Sequence, residues 1–589
     1  MTEFFEIHAR DGAARLGELR LRESHPTPAL VDDLLDDAGS TWVGDREQPT
    51  GDPSTLTVLP HRAFPGGTAP EVRDSFAPEY PDVDFPAAAV VSSESPADHG
   101  TDAYVVSDAQ SIRGHGAAFT EAIVAVREAV PADTALVLSG IATPRNVSLL
   151  AYAGVDAVDA AFATAEGTRG NYLTTDGSHY LDDLDELPCS CPVCQGPRES
   201  FTLADCAEHN RNALAAELAT VRQRIRDGRL RDYLEGQVRH DQWLTAAMRE
   251  LDDQWAYLEE RTPILREAEI TAATEDTLRR VEIQRYADRV TSRYRNRFRN
   301  PLVLVPCSAR KPYSESQSHR QFHDAIQWRA HLVSMTSPIG VVPQELETTY
   351  PAQHYDTVVT GRWSADEIDF VARVLRRYLE RNEYRKIVAH VPDDGYREIV
   401  ERVEADLDLS DRLTYTVPEG GHPTDEESLS NLSTALSGEL KYSKREREHN
   451  TIRAIADYVL GDGAGDDLFD AVDVQTTSRY PKIQVRDGEG TQLATMVPKY
   501  GTLSFTLEGA RLWVDSDAPT KRVEIDGFVP HGSVLAPGVV DADDEIRVGD
   551  EVVVEGPKAF AVGRAEMFGR EMTESTRGEA VTVRHVEER

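Results

Sequence analysis

Residues Asp102–Ala161 read DAYVVSDAQSIRGHGAAFTEAIVAVREAVPADTALVLSGIATPRNVSLLAYAGVDAVDAA. Short apolar runs of strand length, Ala103–Val106, Ala135–Leu138 and Val155–Ala161, alternate with helical stretches at Gly116–Val130 and Pro144–Ala153. Phe119, Ile123, Val126 and Val130 share one helical face, and Thr143 is placed to cap the next helix with Pro144 at its first position. Strands that alternate with helices pair in parallel, so this region is parallel β/α structure. A closed barrel and an open doubly wound sheet both satisfy the pattern.

Just downstream, Pro188–Cys194 reads PCSCPVC, and His209 follows in a helix that starts near Leu203. Three thiols within six residues do not make a disulfide framework; such clustering points to a metal. Cys189, Cys191, Cys194 and an imidazole make a closed tetrahedral zinc site, structural because no position is left for water. Cys206 lies three residues before His209 on the same helix face and is a rival fourth ligand.

The setting is bounded by composition. A chain of 589 residues has room for about four domains, and 102 acids against 63 bases leave a net charge of −39. Lysine occurs only at positions 311, 386, 441, 444, 482, 499, 521 and 558. Acids spread among periodic apolar segments, with arginine kept and lysine nearly removed, look adapted to a salt-rich cytoplasm, where self-repulsion is screened within about 3 Å at 1 M salt. No apolar run approaches the roughly 18 residues of a membrane span, and MTEFFEIHARDG is no signal peptide, so a soluble, cytoplasmic protein is expected. The absence of a Gly-Lys pair excludes a phosphate-binding loop of the Gly-Lys-Ser/Thr type.

The chemistry-bearing stretch is Val303–His319, VLVPCSARKPYSESQSH. An apolar strand, Leu302–Val305, is ended by Pro306, which has no N–H for the ladder. Cys307 can supply a thiolate and Lys311 a cation four residues on, while Tyr313, Ser316 and His319 can donate or relay protons. Ahead of it, Arg279–Arg299 carries eight arginines interleaved with Tyr286, Tyr294 and Phe298. That composition suits phosphate contact and base stacking, or an amphipathic helix whose arginines pair with acids elsewhere. Beyond the loop, a capping box at Ser364 and Glu367 opens a helix, and Arg385–Val391 is a strand closed by the turn Pro392–Gly395. Ligand crevices in such α/β domains open at the C-terminal strand ends.

From Pro306 to His319, seven fixed positions (Pro306, Cys307, Lys311, Pro312, Tyr313, Ser316 and His319) match the signature of the archaeosine synthases, paralogues of archaeal tRNA-guanine transglycosylases. The stretch Ser337–Trp363, SPIGVVPQELETTYPAQHYDTVVTGRW, also resembles that family. The resemblance covers the chain in order. It implies a multidomain α/β protein: a TIM-like (β/α) barrel with the zinc site over 1–290, an α/β core domain carrying the signature over 291–440, a small α+β linker domain over 441–515 and a C-terminal PUA β-barrel over 520–589. His209 is implied as the fourth zinc ligand because the family's site ends in a His-Asn pair, here His209-Asn210. Asp159 matches the family's strand-end nucleophile and is expected in a substrate pocket, but the Asp-Ser-Gly-Gly stretch that carries the second aspartate is missing. The barrel is therefore expected to serve as a tRNA-binding platform.

The implied function is conversion of the nitrile of 7-cyano-7-deazaguanine (preQ0), already installed at position 15 of tRNA, toward the amidine of archaeosine. The catalytic residues would be Cys307, Lys311, Tyr313, Ser316 and His319. The amine would come from lysine, glutamine or ammonia; with lysine, a radical SAM partner enzyme would cleave the adduct. Arg293, Arg295, Arg297, Lys521 and Arg564 are the expected RNA contacts, and a homodimer is left open. The alternatives are a base-exchanging tRNA-guanine(15) transglycosylase and an inactive tRNA-binding scaffold.

Overall fold

The computed structural model describes residues 4–44, 46–64, 67–357 and 362–589. Two compact units emerge: Met1–Pro263 with Leu535–Val539 and Met567–Ala580, and Ile264–Val534 with Val540–Glu566 and Val581–Arg589.

In the first unit an antiparallel sheet, β1 (Phe5–Asp11), β2 (Ala14–Arg20) and β3 (Ser24–Thr27), precedes seven parallel strands. These are β4 (Ala29–Leu30), β5 (Leu35–Asp37), β6 (Leu56–Val58), β7 (Ala87–Val91), β8 (Ala103–Val106), β9 (Ala135–Leu138) and β10 (Ala157–Val158), ordered β4-β10-β9-β8-β7-β6-β5. The two edge strands, β4 and β5, are consecutive in the chain and only residues 31–34 separate them. Such a link reaches about 18 Å at most, whereas seven flat strands about 4.8 Å apart would span about 29 Å. The sheet must curl on itself, and the amides of Leu34 and Leu35 both donate to the Val31 carbonyl at the seam, at 2.9 and 3.1 Å. The result is a TIM-like barrel with seven strands among the described residues, one short of eight. Small residues face inward (Ala88, Ala103, Ala135 and Ala157), and Phe5 and Leu19 of the antiparallel sheet, with Leu21 just after β2, pack on them.

One end of this barrel is stoppered. Arg15, buried on β2, donates to Asp156 at 2.9 Å and to the Thr134 carbonyl at 2.8 Å. Asp156 and Thr134 stand at the N-terminal ends of β10 and β9, so the opposite, C-terminal ends carry the free loops. Helices α1 (Gly116–Ala129), α2 (Val147–Ala153) and α3 (Leu203–Arg226) pack outside, the last opened by a capping box of Thr202 and Asp205. α2 begins three residues later than its sequence signals suggest. Thr143 and Asn146 cap each other, each backbone N–H meeting the other's side-chain oxygen at 2.8 and 3.2 Å, so residues 144–146 form a turn before the helix.

The second unit starts at Ile264, well before the expected boundary at 290, because Ile270–Ala272 pairs in parallel with Tyr355–Thr357. After α4 (Val281–Ser292) comes a five-stranded sheet of β11 (Leu302–Pro306), β12 (His331–Thr336), β13 (Gly340–Pro343), β14 (Ile387–Ala389) and β15 (Leu413–Tyr415), ordered β13-β12-β11-β14-β15. Central β11 lies parallel to both neighbours and is buried from Leu302 to Val305, which explains its unbroken apolar run. Helices α5 (Gln317–Ile326), α6 (Ala365–Arg381) and α7 (Gly395–Leu407) pack with it. Helix α8 (Lys444–Leu460) leads to a four-stranded antiparallel sheet, Gln475–Arg479 to Thr502–Phe505.

In the PUA segment Glu551–Gly556 pairs with Ala559–Ala565 and, in parallel, with Arg522–Ile525. Val553, Phe560 and Val562 join the same hydrophobic core as β11, so these two strands are built into the second unit.

Candidate active site and metal centre

The metal centre is assembled from a turn and a helix. Cys189, Cys191, Cys194 and His209 place one donor atom each within 4.8 Å of one another. Cys194 Sγ and Cys191 Sγ stand 3.3 and 3.7 Å from His209 Nδ1, and 3.5 Å from each other. Edges of a tetrahedron around a metal with bonds of about 2.0–2.3 Å fall near these lengths, so the donor set fits a metal ion. His209 Nε2 sits 2.9 Å from the Leu173 carbonyl, which fixes the tautomer and aims Nδ1 at the sulfurs. The Tyr172 ring stacks on His209 at 3.7 Å, and Asn210 ties the helix to strand Asn171–Leu173 by accepting from the Leu173 amide at 2.8 Å. This assigns the His-Asn pair its two jobs. The rival Cys206 lies outside the donor cluster, fully buried, and burial pushes its thiol up to about 11.

Asp159 sits at the C-terminal end of β10. Its carboxylate accepts from Ser139 Oγ and from the Gly140 and Ala161 amides at 2.9 and 3.1 Å, and the residue is only 9% exposed. Those bonds stitch β10 to the loop after β9, a structural use of the side chain.

The signature loop leaves the C-terminal end of β11. Cys307 is half-buried and opens on a cavity of 380 Å³ whose lining includes Ser337, Arg362, Trp363, Glu367 and Tyr396. Cys307 Sγ lies 3.0 Å from Tyr396 Oη. Burial, and then the neighbouring Cys307, hold the Tyr396 phenol far above its ordinary value, so it stays protonated beside the sulfur. Lys311 reaches over the Tyr355 ring with Nζ 3.8 Å from its centroid. Burial lowers its pKa below the usual lysine value, opposed by Cys307, Asp356 and Glu269. A partly desolvated ammonium beside a thiol and a phenol is a set that can activate a nucleophile and deliver a proton.

The other signature residues support the loop. Tyr313 is buried, its hydroxyl bonded to Tyr355 Oη, which bonds in turn to Thr336 at 2.7 Å. Ser316 Oγ accepts from the His319 amide at 3.2 Å and so caps α5. His319 is 1% exposed, stacked on Tyr313 at 4.9 Å, with Nε2 3.2 Å from the Pro306 carbonyl; burial drives its pKa down to about 3. Neutral at ordinary pH and bonded to the loop's own backbone, His319 anchors the loop, and Ser316 orients it through the helix cap. Tyr396, Tyr355 and Trp363 were not singled out from the sequence. Tyr396 follows the turn after β14, the strand beside β11, and that placement at a C-terminal strand end was its one signal. Residues 358–361 of the family-like stretch lie outside the described residues.

The arginine segment resolves toward the second of its two readings. Tyr286, Tyr294 and Phe298 are core residues and cannot stack on bases. Arg295 pairs with Asp462 at 2.7 Å and Arg297 with Asp457 and Asp466, both at 2.7 Å, while Arg293 is partly buried. Lys521 is likewise corrected: it is 7% exposed, bonded to buried Asp550 at 2.6 Å, and burial pushes its pKa down to about 8. Arg564 remains partly exposed, its guanidinium 5.6 Å from the Tyr500 ring.

Family models described as queuine tRNA-ribosyltransferase, a domain of unknown function, the patch-forming domain C2 of tRNA-guanine transglycosylase, and the PUA domain match residues 63–242, 283–436, 450–519 and 524–586. The chain is 66% identical over 589 residues to archaeosine synthase of Haloferax volcanii, covering 100% of both. It is 42% identical to archaeosine synthase subunit alpha of Methanosarcina acetivorans, again over 100% of each. Identity to the tRNA-guanine(15) transglycosylase of Methanobrevibacter smithii is 27%, over 76% of this chain and 66% of that one. With full-length identity of this order and the transglycosylase and PUA matches in the same sequence, the chain belongs to the archaeosine synthase family of tRNA-modifying enzymes.

Proposed function

We propose that this protein adds an amine to the nitrile of 7-cyano-7-deazaguanine at position 15 of tRNA, giving the amidine of archaeosine or its lysine adduct, and that the reaction occurs at Cys307. The observation that carries the reading is a thiol at the C-terminal end of a central parallel strand, facing a 380 Å³ cavity with a protonated phenol 3.0 Å from the sulfur. A cavity of that size lies in the range of small-ligand sites and admits an extruded base.

Cys307 Sγ bonds to the nitrile carbon, its thiol proton passing to Tyr396 or Lys311 as that group gives a proton to the nitrile nitrogen, so a thioimidate forms and the relay group ends as it began. The amine then attacks the same carbon, the C–S bond breaks, and a proton released by the attacking amine returns to the Cys307 sulfur. No outside energy source is required, because the C≡N bond supplies the driving force. The missing Asp-Ser-Gly-Gly stretch and the engaged Asp159 carboxylate argue against base exchange in the barrel.

The same reading gives the metal centre a structural zinc, since three thiolates with one imidazole leave no open position. It gives the barrel and PUA segment the tRNA, and it hands a lysine adduct to a radical SAM partner in a salt-rich cytoplasm.

Nucleoside mass analysis decides. tRNA carrying the nitrile base is incubated with the protein and isotopically labelled lysine, glutamine or ammonium. A labelled mass gain is expected with one donor; a base swap or unchanged tRNA would overturn the reading.

A further inference from the structure

Against the Tyr313–His319 stack of the signature loop lies a small cavity of about 40 Å³. Its walls include Ser314, Glu347, Arg447 and Tyr480, drawn from the loop, the segment after β13, helix α8 and the tip of a hairpin between Gln475–Arg479 and Lys482–Arg486. Glu347 is 6% exposed. One of its oxygens accepts from the Ser314 amide at 2.8 Å, and the other accepts from the Tyr480 hydroxyl. Arg447 packs against the Tyr480 ring on one side, at 5.0 Å, and against Trp328 on the other, at 4.6 Å, and its buried Nε has no hydrogen-bond partner.

Burying a carboxylate costs several kcal/mol unless its bonds are strong. A glutamine would hold the Ser314 amide at a lower cost, so the carboxylate calls for a different explanation. Charge-assisted bonds are roughly twice as strong as neutral ones, and these run to the one loop amide midway between the Cys307–Lys311 pair and the α5 cap. Burial also raises the Glu347 pKa, against the bonds from Tyr480 and Ser314. The cavity has room for only a few waters.

We infer that Glu347 and Tyr480 form a clamp that reaches from the four-stranded sheet to the signature loop and sets the placement of Cys307 and Lys311. Both are positioning residues, and Arg447 keeps the Tyr480 ring in line. The inference rests on the proposed role of Cys307, but not its test.

The full chain is compared with Y480F, E347A and E347Q by two measurements. One is the rate of Cys307 alkylation by iodoacetamide, followed by peptide mass analysis at a temperature where every variant is folded. The other is turnover of nitrile-bearing tRNA. Y480F and E347A are expected to change the alkylation rate at least threefold and to lower kcat at least tenfold at unchanged KM for tRNA. E347Q, which keeps one acceptor but neither the charge nor the second acceptor oxygen, is expected to recover only part of that loss. Wild-type alkylation and kcat in Y480F and E347A, with only a lowered Tm, would overturn the clamp. If C307A keeps full turnover, the proposed chemistry fails, and the alkylation measurement alone still decides the clamp.

Discussion

Two cysteine sites in this molecule are made from the same residue types and come out opposite. At the metal centre Tyr172 stacks on His209, Nε2 of which bonds a backbone carbonyl, and at the signature loop Tyr313 stacks on His319, Nε2 of which does the same. What differs is the free face of the imidazole and the number of sulfurs. His209 turns Nδ1 on Cys191 and Cys194, so donors converge and the site closes. His319 meets no sulfur; the lone Cys307 points away into a cavity, with Tyr396 as its partner. Convergence gives a ligand set for a metal, and divergence leaves a thiol free to react. A histidine near a cysteine in sequence therefore says little until the direction of the ring is known.

The largest effect should come from removing the reactive thiol. C307A is expected to bind substrate tRNA normally and to lose amidine formation by a thousandfold or more, on the scale of a removed nucleophile. K311R should lose most activity as well, since a guanidinium keeps the charge but not the compact ammonium. Full turnover by both, measured on nitrile-bearing tRNA, would erase the contrast between the sites.

Next comes the metal. H209A or C194S should drop bound zinc from one per chain to none and unfold the turn Pro188–Gln195, because most of the local stability is binding energy, about 10 kcal/mol or more for structural zinc. C206A should keep the metal, for Cys206 is outside the donor cluster. Elemental analysis of the three proteins checks both expectations.

Acid should act on the second unit. Burial holds His319, His354 and His390 down to about 3, 4 and 4, against 6.5 for an ordinary imidazole. The folded chain refuses protons that the unfolded chain accepts, so this stabilisation is complete above pH 6.5 and is lost as pH falls toward 4. Each histidine contributes about 1.4 kcal/mol per pH unit in that window. Urea midpoints at pH 7, 6 and 5 should fall steeply; a flat profile would mean the three rings are not buried neutral.

The smallest effect separates anchoring from chemistry within the loop itself. S316A removes a helix cap and should cost about 1 kcal/mol in stability while kcat stays within a few-fold of wild type. A loss of turnover without a loss of stability would return Ser316 to the proton path.

Removing the chain from Lys521 onward, an obvious test of tRNA affinity, would instead strip Val553, Phe560 and Val562 from a shared core. Substitution at partly exposed Arg564 is the cleaner probe.

Much of the architecture was legible because it is written in local spacing. The alternation over Asp102–Ala161 fixes parallel β/α structure, three cysteines in six residues mark a metal turn, and an apolar run ended by Pro306 places Cys307 at a strand end. Each signal involves residues a few positions apart, where periodicity and turn chemistry act directly. Partnerships across the chain have no such trace. Tyr396 is 89 residues from Cys307, and the acids that take Arg295 and Arg297 are 160 residues or more away. Composition left those arginines open to an RNA surface or to acids elsewhere, and the fold brings Asp462 to Arg295 and Asp457 and Asp466 to Arg297. Closure of the seven strands, the turning of His319 away from sulfur and the burial of Lys521 beside Asp550 were likewise decided by which surfaces met. The sequence by itself determined which elements and which reactive groups exist; only the tertiary structure decided what each faces, because burial and long-range contact set the charge state and direction of a side chain.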